Sequence, residues 1–204
     1  MSGTKTIDKN LPNKLTVFRI IMVPVFIVLL WLPLMTGGAV SELLSRILAS
    51  AVFIISAVTD FIDGKLARKY NLVSNFGKFM DPLADKFLVI GALLAMVLVF
   101  DGAMRAGLVI ALMVTVFREL AVSSMRLIAK NADGVVIAAA MPGKIKTFSQ
   151  CIFVPLALLE NYILAFCPAI ADKLILSWIC LVVMVFFTLY SGIQYLNTYR
   201  KYIF

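Results

Sequence analysis

Six stretches of the chain, roughly 17–35, 44–66, 83–100, 106–128, 145–166 and 173–196, run predominantly apolar for the about 20 residues that a helix needs to cross a hydrocarbon core. Glycine, proline and charge gather in the breaks between them: PLMTGGAVSE, the long acidic and basic stretch DFIDGKLARKYNLVSNFGKFMDPLADK, DGAMR, KNADGVVIAAAMPGK and CPAIADK. This pattern predicts an all-α integral membrane protein with six transmembrane helices. Pro24, Pro33 and Pro155 fall inside the predicted spans and should kink them. No repeat at a fixed period is visible, so a transporter built from inverted halves gains no support.

Composition agrees. Of the 204 residues, 62% are hydrophobic and only 15% charged, and the mean hydropathy is +1.01, which leaves too little polar surface for a soluble domain of that length. One domain is expected, with residues 1–16 as a juxtamembrane segment and 17–204 as the six-helix unit. The leading MSGTKTIDKNLPNKL lacks the small-residue cleavage site of a signal peptide and is read as retained. Lys5, Lys9 and Lys14 fit a short surface helix against anionic headgroups, with a disordered tail an equal rival for residues 1–10.

The net charge of +8 points to nucleic acid, an anionic membrane surface or anionic substrates. Basic patches interleaved with exposed aromatics are absent, so no nucleic acid partner is expected. With six spans both termini share one side, and of the 19 lysines and arginines only Arg46, Arg105 and Lys173 fall on the other. The positive-inside rule then puts the termini and the acidic stretch in the cytoplasm. Cys151, Cys167 and Cys180 stand singly in apolar surroundings, as small buried hydrophobes do. There is no histidine, so any chemistry must run on carboxylates, lysines, arginines and hydroxyls.

The acidic stretch carries that chemistry. Asp60 and Asp63, three apart at the end of the second span, lie within about 60° of each other on a helix; Asp81 and Asp85, four apart as the third begins, again share a face. Four carboxylates brought together by a short loop repel one another unless cations intervene. Oxygen donors without histidine or cysteine select Mg²⁺, Mn²⁺ or Ca²⁺, and two divalent ions would satisfy four aspartates. A rival is that these are solvated helix-end charges, with Asp81 as an N-cap before Pro82; it leaves Asp60 and Asp63 at the helix end whose dipole disfavours anions. Gly64 and Ala67 open a gap that either admits a planar group or serves helix packing. Arg68 beside it can hold a phosphate.

The spacing Asp60-x2-Asp63-Gly64-x2-Ala67-Arg68-x8-Gly77-x3-Asp81-x3-Asp85 resembles the complete signature of the CDP-alcohol phosphatidyltransferase family. At background residue usage, a chance match of eight fixed identities at one site is about 10⁻⁸ to 10⁻¹⁰. The resemblance implies a six-helix membrane fold, a homodimer, two divalent cations (Mg²⁺ or Mn²⁺) and a CDP-linked lipid. It implies that Asp60, Asp63 and Asp81 are metal ligands, that Asp85 is both ligand and general base, and that Gly64, Ala67, Arg68 and Gly77 belong to the CDP-lipid site. Asn13, Thr16 and Arg19 match a recurring N-terminal element and go with the lipid pyrophosphate, helix capping by Asn13 or Thr16 being the equal rival.

A second group of charges lies further on. In VFRELAVSSMRLIAK, Arg118 sits about 12 Å deeper along its helix than Arg126, and an arginine at membrane depth is read as functional. Glu119 shares a face with Arg126, which permits pairing through an intermediate group; a structural Glu119–arginine pair that locks two helices is the alternative. In PGKIKT, Lys144 and Lys146 open the fifth span, where a helix start favours an anion, although membrane anchoring explains Lys146 as well. Arg118, Arg126, Lys144 and Lys146 together suit the phosphate of an acceptor alcohol. RELAVSSMR and GKIKT, with LPNKLTVFR ahead of the first span, resemble over nearly the whole chain the bacterial family members whose acceptor is sn-glycerol 3-phosphate and whose other product is CMP. The expected substrates are therefore CDP-diacylglycerol and glycerol 3-phosphate, at the bacterial cytoplasmic membrane. Family members that use phosphatidylglycerol as acceptor are the nearest alternative. From other classes come a divalent-cation transporter, against which the positive charge of Arg68 and Arg118 argues, and a structural scaffold.

Overall fold

The computed structural model describes residues 11–70, 75–133 and 141–203, all of it helix and short connections with no strand among the described residues. Six long helices follow one another: α1 (Leu11–Met35), α2 (Glu42–Tyr70), α3 (Asn75–Val99), α4 (Gly102–Asp133), α5 (Met141–Ile163) and, after the short α6 (Pro168–Ala171), α7 (Ile175–Ile203). Five of them, α1 to α4 and α7, are long and apolar enough to cross a membrane, so the protein is multi-pass. α5 is long enough, at 23 residues, but it carries Lys144, Lys146, Gln150 and Glu160. Lys146, Gln150 and Glu160 are buried inside the protein, so α5 turns its polar side inward.

The helices close a ring. α1 packs on α2 and α3, α2 on α5, α5 on α7, α7 on α4 and α4 on α3, whereas α2 and α3 barely touch each other among the described residues. One continuous core, including Phe26, Phe53, Leu93, Met96, Leu108, Phe153, Leu158 and Met184, fills the interior. α1 is fastened to both neighbours at its C-terminal half: the Trp31 indole donates to the Ala95 carbonyl at 2.9 Å, and the Ser45 hydroxyl donates to the Leu29 carbonyl. The ring is also closed by a buried carboxylate. Glu160 on α5 is fully buried and accepts from the backbone N–H groups of Leu176 (2.9 Å) and Ser177 (2.7 Å) and from the Ser177 hydroxyl, capping the first turn of α7.

The helix ends differ from the sequence expectation in an informative way. α2 runs on to Tyr70, seven residues past Asp63, because KLARKY is made largely of good helix formers. α3 begins at Asn75, so Pro82 lies inside the helix and Asp81 is not its N-cap. The solvated-cap account of Asp81 therefore fails. α1 starts at Leu11, so Lys14 belongs to the same continuous helix as the first span, and the 16/17 boundary falls within it; Lys5 and Lys9 lie outside the described residues. The three cysteines are free and half-buried.

Candidate active site

All six long helices place a polar side chain at one end of the ring. From α1 come Thr16 and Arg19, both fully buried. Arg19 Nη1 lies 2.6 Å from Asp60 Oδ1 on α2 and 2.8 Å from Asp85 Oδ1 on α3, so a single guanidinium nitrogen joins carboxylates from two helices that scarcely touch. Beside it the Thr16 hydroxyl donates to Asp81 Oδ1 at 2.5 Å. The aspartates remain open on their other side: the side chains of Asp60 and Asp85 are 41% and 53% exposed, enough for a substrate to reach them. Gly77 is buried near the start of α3. Asp63, Gly64, Ala67 and Arg68 lie in the last turns of α2, and their side chains fall outside what the structure describes. Asn13 lines an open groove of about 410 Å³ along α1 with Lys14, Val17, Phe18 and Ile21.

The donor set fits a hard divalent cation. Every acidic donor is a carboxylate oxygen, and the arginine between Asp60 and Asp85 already marks a position where two of those oxygens converge on positive charge. Among the described residues no three acidic, cysteine or histidine side chains group closely enough to hold an ion by themselves, and Asp63 is outside that set.

The second group assembles on α4, α5 and α7. Glu119 accepts from Lys146 Nζ and, at 2.9 Å, from Arg118 Nη1. The direct partners of Glu119 are the adjacent arginine, a structural Glu119–arginine pair, and a lysine of another helix, and the interhelical lock is made by Lys146. Arg118 also donates from Nε to Ser191 Oγ at 3.2 Å, passing Gly192 so closely that a Cβ there would sit 3.2 Å from Arg118 Cγ. Arg126 donates to the Tyr195 hydroxyl at 2.5 Å, and both guanidiniums lie over the Tyr195 ring, 5.6 Å (Arg118) and 5.0 Å (Arg126) from its centroid. The long side chains thus bring together two charges whose backbones are two turns apart. Lys144 is exposed and makes no ion pair with any described residue.

Sequence reasoning missed Lys86, Ser123 and Tyr195. Lys86 follows Asp85 and donates to Ser123 Oγ, which itself donates to the Glu119 carbonyl at 2.7 Å, so it joins the aspartate group to the cationic one. Its place next to the last motif aspartate was the available signal. Tyr195 reads in sequence as an interfacial aromatic near a helix end, and nothing local marks it as the partner of two arginines.

A family model described as CDP-alcohol phosphatidyltransferase matches residues 9–190, from just before α1 to well into α7. The chain belongs to the CDP-alcohol phosphatidyltransferase family. It is 44% identical over 192 residues to the CDP-diacylglycerol–glycerol-3-phosphate 3-phosphatidyltransferase of Bacillus subtilis (strain 168), covering 92% of this chain and 94% of that one. To the protein of the same name from Rickettsia felis it is 34% identical over 196 residues, 96% of this chain and 98% of the other. To that of Salmonella typhimurium it is 36% identical over 144 residues, 70% and 73% of the two chains. The first two likenesses run nearly end to end, so they take in the α4–α5 cations as well as the aspartate segment. In this member of the CDP-alcohol phosphatidyltransferase family, the two groups lie at the same end of one ring, linked through Lys86 and Ser123.

Proposed function

We propose that this membrane protein transfers the phosphatidyl group of CDP-diacylglycerol to the primary hydroxyl of sn-glycerol 3-phosphate, releasing CMP. The observation that carries the proposal is the meeting of Asp60 and Asp85 at one cationic position, at the end of the ring where Lys86, Arg118, Arg126 and Lys146 also gather, Arg118 and Lys146 on the carboxylate of Glu119. That excess of positive charge suits an acceptor that brings its own phosphate. The names of relatives that match nearly the whole chain support the same acceptor.

In this reading Asp60, Asp63, Asp81 and Asp85 hold two divalent cations, Mg²⁺ or Mn²⁺, which when bound neutralise the diphosphate and the charge that develops on departing CMP. Asp85 takes the proton of the acceptor hydroxyl. The freed oxygen bonds to the phosphorus that carries diacylglycerol, and the bond from that phosphorus to the bridging oxygen breaks, leaving that oxygen on CMP. Gly64, Ala67, Arg68 and Gly77, with Asn13 and Thr16, receive the CDP-lipid. Arg118, Arg126, Lys144 and Lys146 hold the acceptor phosphate, Tyr195 keeping the two guanidiniums together. Both termini and the site face the cytoplasm, as the lysine and arginine bias supports, and the working unit is a homodimer, as the family resemblance implies.

The test is the acceptor. Purified protein given CDP-diacylglycerol and labelled glycerol 3-phosphate, phosphatidylglycerol, inositol phosphate or serine should form product and CMP with glycerol 3-phosphate, and no product with it rejects the proposal. Asp85→Asn should retain the fold and lose about 10²- to 10⁴-fold in turnover. Near-normal turnover in that variant would remove the base from the scheme.

A further inference from the structure

Arg19 is 1% exposed, the most enclosed cation among the described residues. One of its guanidinium nitrogens is shared between Asp60 Oδ1 at 2.6 Å and Asp85 Oδ1 at 2.8 Å. Among the described residues α2 and α3 barely contact each other, and both pack on α1. Two carboxylates on such helices would repel and separate if nothing positive lay between them. Arg19 therefore does, without a metal, the electrostatic work that a divalent ion does when bound.

An ion held through those two Oδ1 atoms competes with the guanidinium for the same place. Coordination of Mg²⁺ to a carboxylate takes about 2.0–2.1 Å, and it would set two positive charges against a guanidinium that holds the same oxygens. We infer that Arg19 is the resident counter-cation of the Asp60–Asp85 pair, which a divalent ion must displace, so that this residue sets the metal affinity of the site. The inference rests on the proposal that Asp60 and Asp85 are metal ligands. It assigns Arg19 a positioning role: it pre-assembles ligands from two helices, and the ion binds more weakly because it must compete.

Mn²⁺ binding to the full-length purified protein, read by electron paramagnetic resonance of free Mn²⁺, separates the outcomes. Arg19→Gln should bind Mn²⁺ about tenfold more tightly than wild type, because a neighbouring positive charge has gone; Arg19→Lys keeps the charge and should stay near wild type. A merely structural arginine predicts the opposite sign, since loosened ligands bind more weakly. Equal or weaker binding by a folded Arg19→Gln protein overturns the inference while leaving the metal site in place. Loss of Mn²⁺ binding in Asp60→Asn supports the ligand assignment, and a wild type that binds no Mn²⁺ overturns both. Should Arg19→Gln not fold, the wild type decides: in protein labelled with ¹⁵N at the arginine side chains, and with the signal assigned by its loss in Arg19→Lys, saturating Mg²⁺ must shift the Arg19 guanidinium resonance. An unchanged resonance overturns the inference.

Discussion

Lys146 is 8% exposed at its side chain and Glu119 14%, so their ion pair is enclosed, and neither charge can turn to water if the other is removed. Breaking such a pair from one side costs about 3–5 kcal/mol, because it strands the remaining charge. The two sides are unequal here, since Glu119 keeps Arg118 when Lys146 is lost, whereas Glu119→Gln deprives both cations. Glu119→Gln should therefore destabilise more than Lys146→Met, and the double variant should cost less than the sum of the two. Unfolding in mixed micelles with increasing dodecyl sulfate measures all three, and strict additivity would show that the contact carries no coupling. At this scale the sequence revealed the charges and not their partners. Spacing along a helix ranks only neighbours on that helix, so it pointed from Glu119 to Arg126; Lys146 lies on another helix, 27 positions away. The partners of Arg19 were hidden for the same reason, since its place between Asp60 and Asp85 depends on how three helices are rotated about their axes.

At the scale of elements, the apolar runs disclosed the helices and left their ends uncertain. Gly64 and the charges around it look like a break, yet α2 continues to Tyr70, and Pro82 looks like a first turn although α3 is already under way. The close approach of α1 and α3 was likewise invisible. A Cβ at Gly91 would lie 2.7 Å from Val23 Cγ1, so with the valine in place only glycine fits there without a shift. Val23 is one helical turn beyond Arg19 on α1, so a push at this contact moves the helix that carries both Thr16 and Arg19. Gly91→Ala should cost about 1–3 kcal/mol by overpacking and lower transferase activity. Val23→Ala removes the obstructing methyl, so Val23→Ala/Gly91→Ala should be no less stable than Val23→Ala alone. Thermal unfolding and turnover of the three variants check this; a double variant as damaged as the sum would mean that the methyl is not the obstacle.

The whole molecule is a ring with the aspartate group and the α4–α5 cations at one end, and its enclosed interior explains how α5 can carry two lysines, a glutamine and a glutamate. Its Lys146, Gln150 and Glu160 face the interior, so its fitness for a membrane is a property of the assembled ring. Across the ring the exposed charges divide as well: Asp101 and Arg105 pair with each other on the α3–α4 connection, at the opposite end of α4 from Arg126. The few cations at that end and the many at the aspartate end predict one orientation by the positive-inside rule. Single cysteines at exposed positions report it, in a background where Cys151, Cys167 and Cys180 are replaced by alanine. In intact cells Asp101→Cys should react with a membrane-impermeant maleimide added outside, whereas Lys144→Cys, on the first turns of α5, should react only after the membrane is opened. The reverse pattern would turn the whole ring over and put the aspartates on the outer face, away from a cytoplasmic supply of CDP-linked lipid. Labelling of both from outside would mean that the α4–α5 connection does not lie across a bilayer from the α3–α4 connection, and the six-span topology itself would fail.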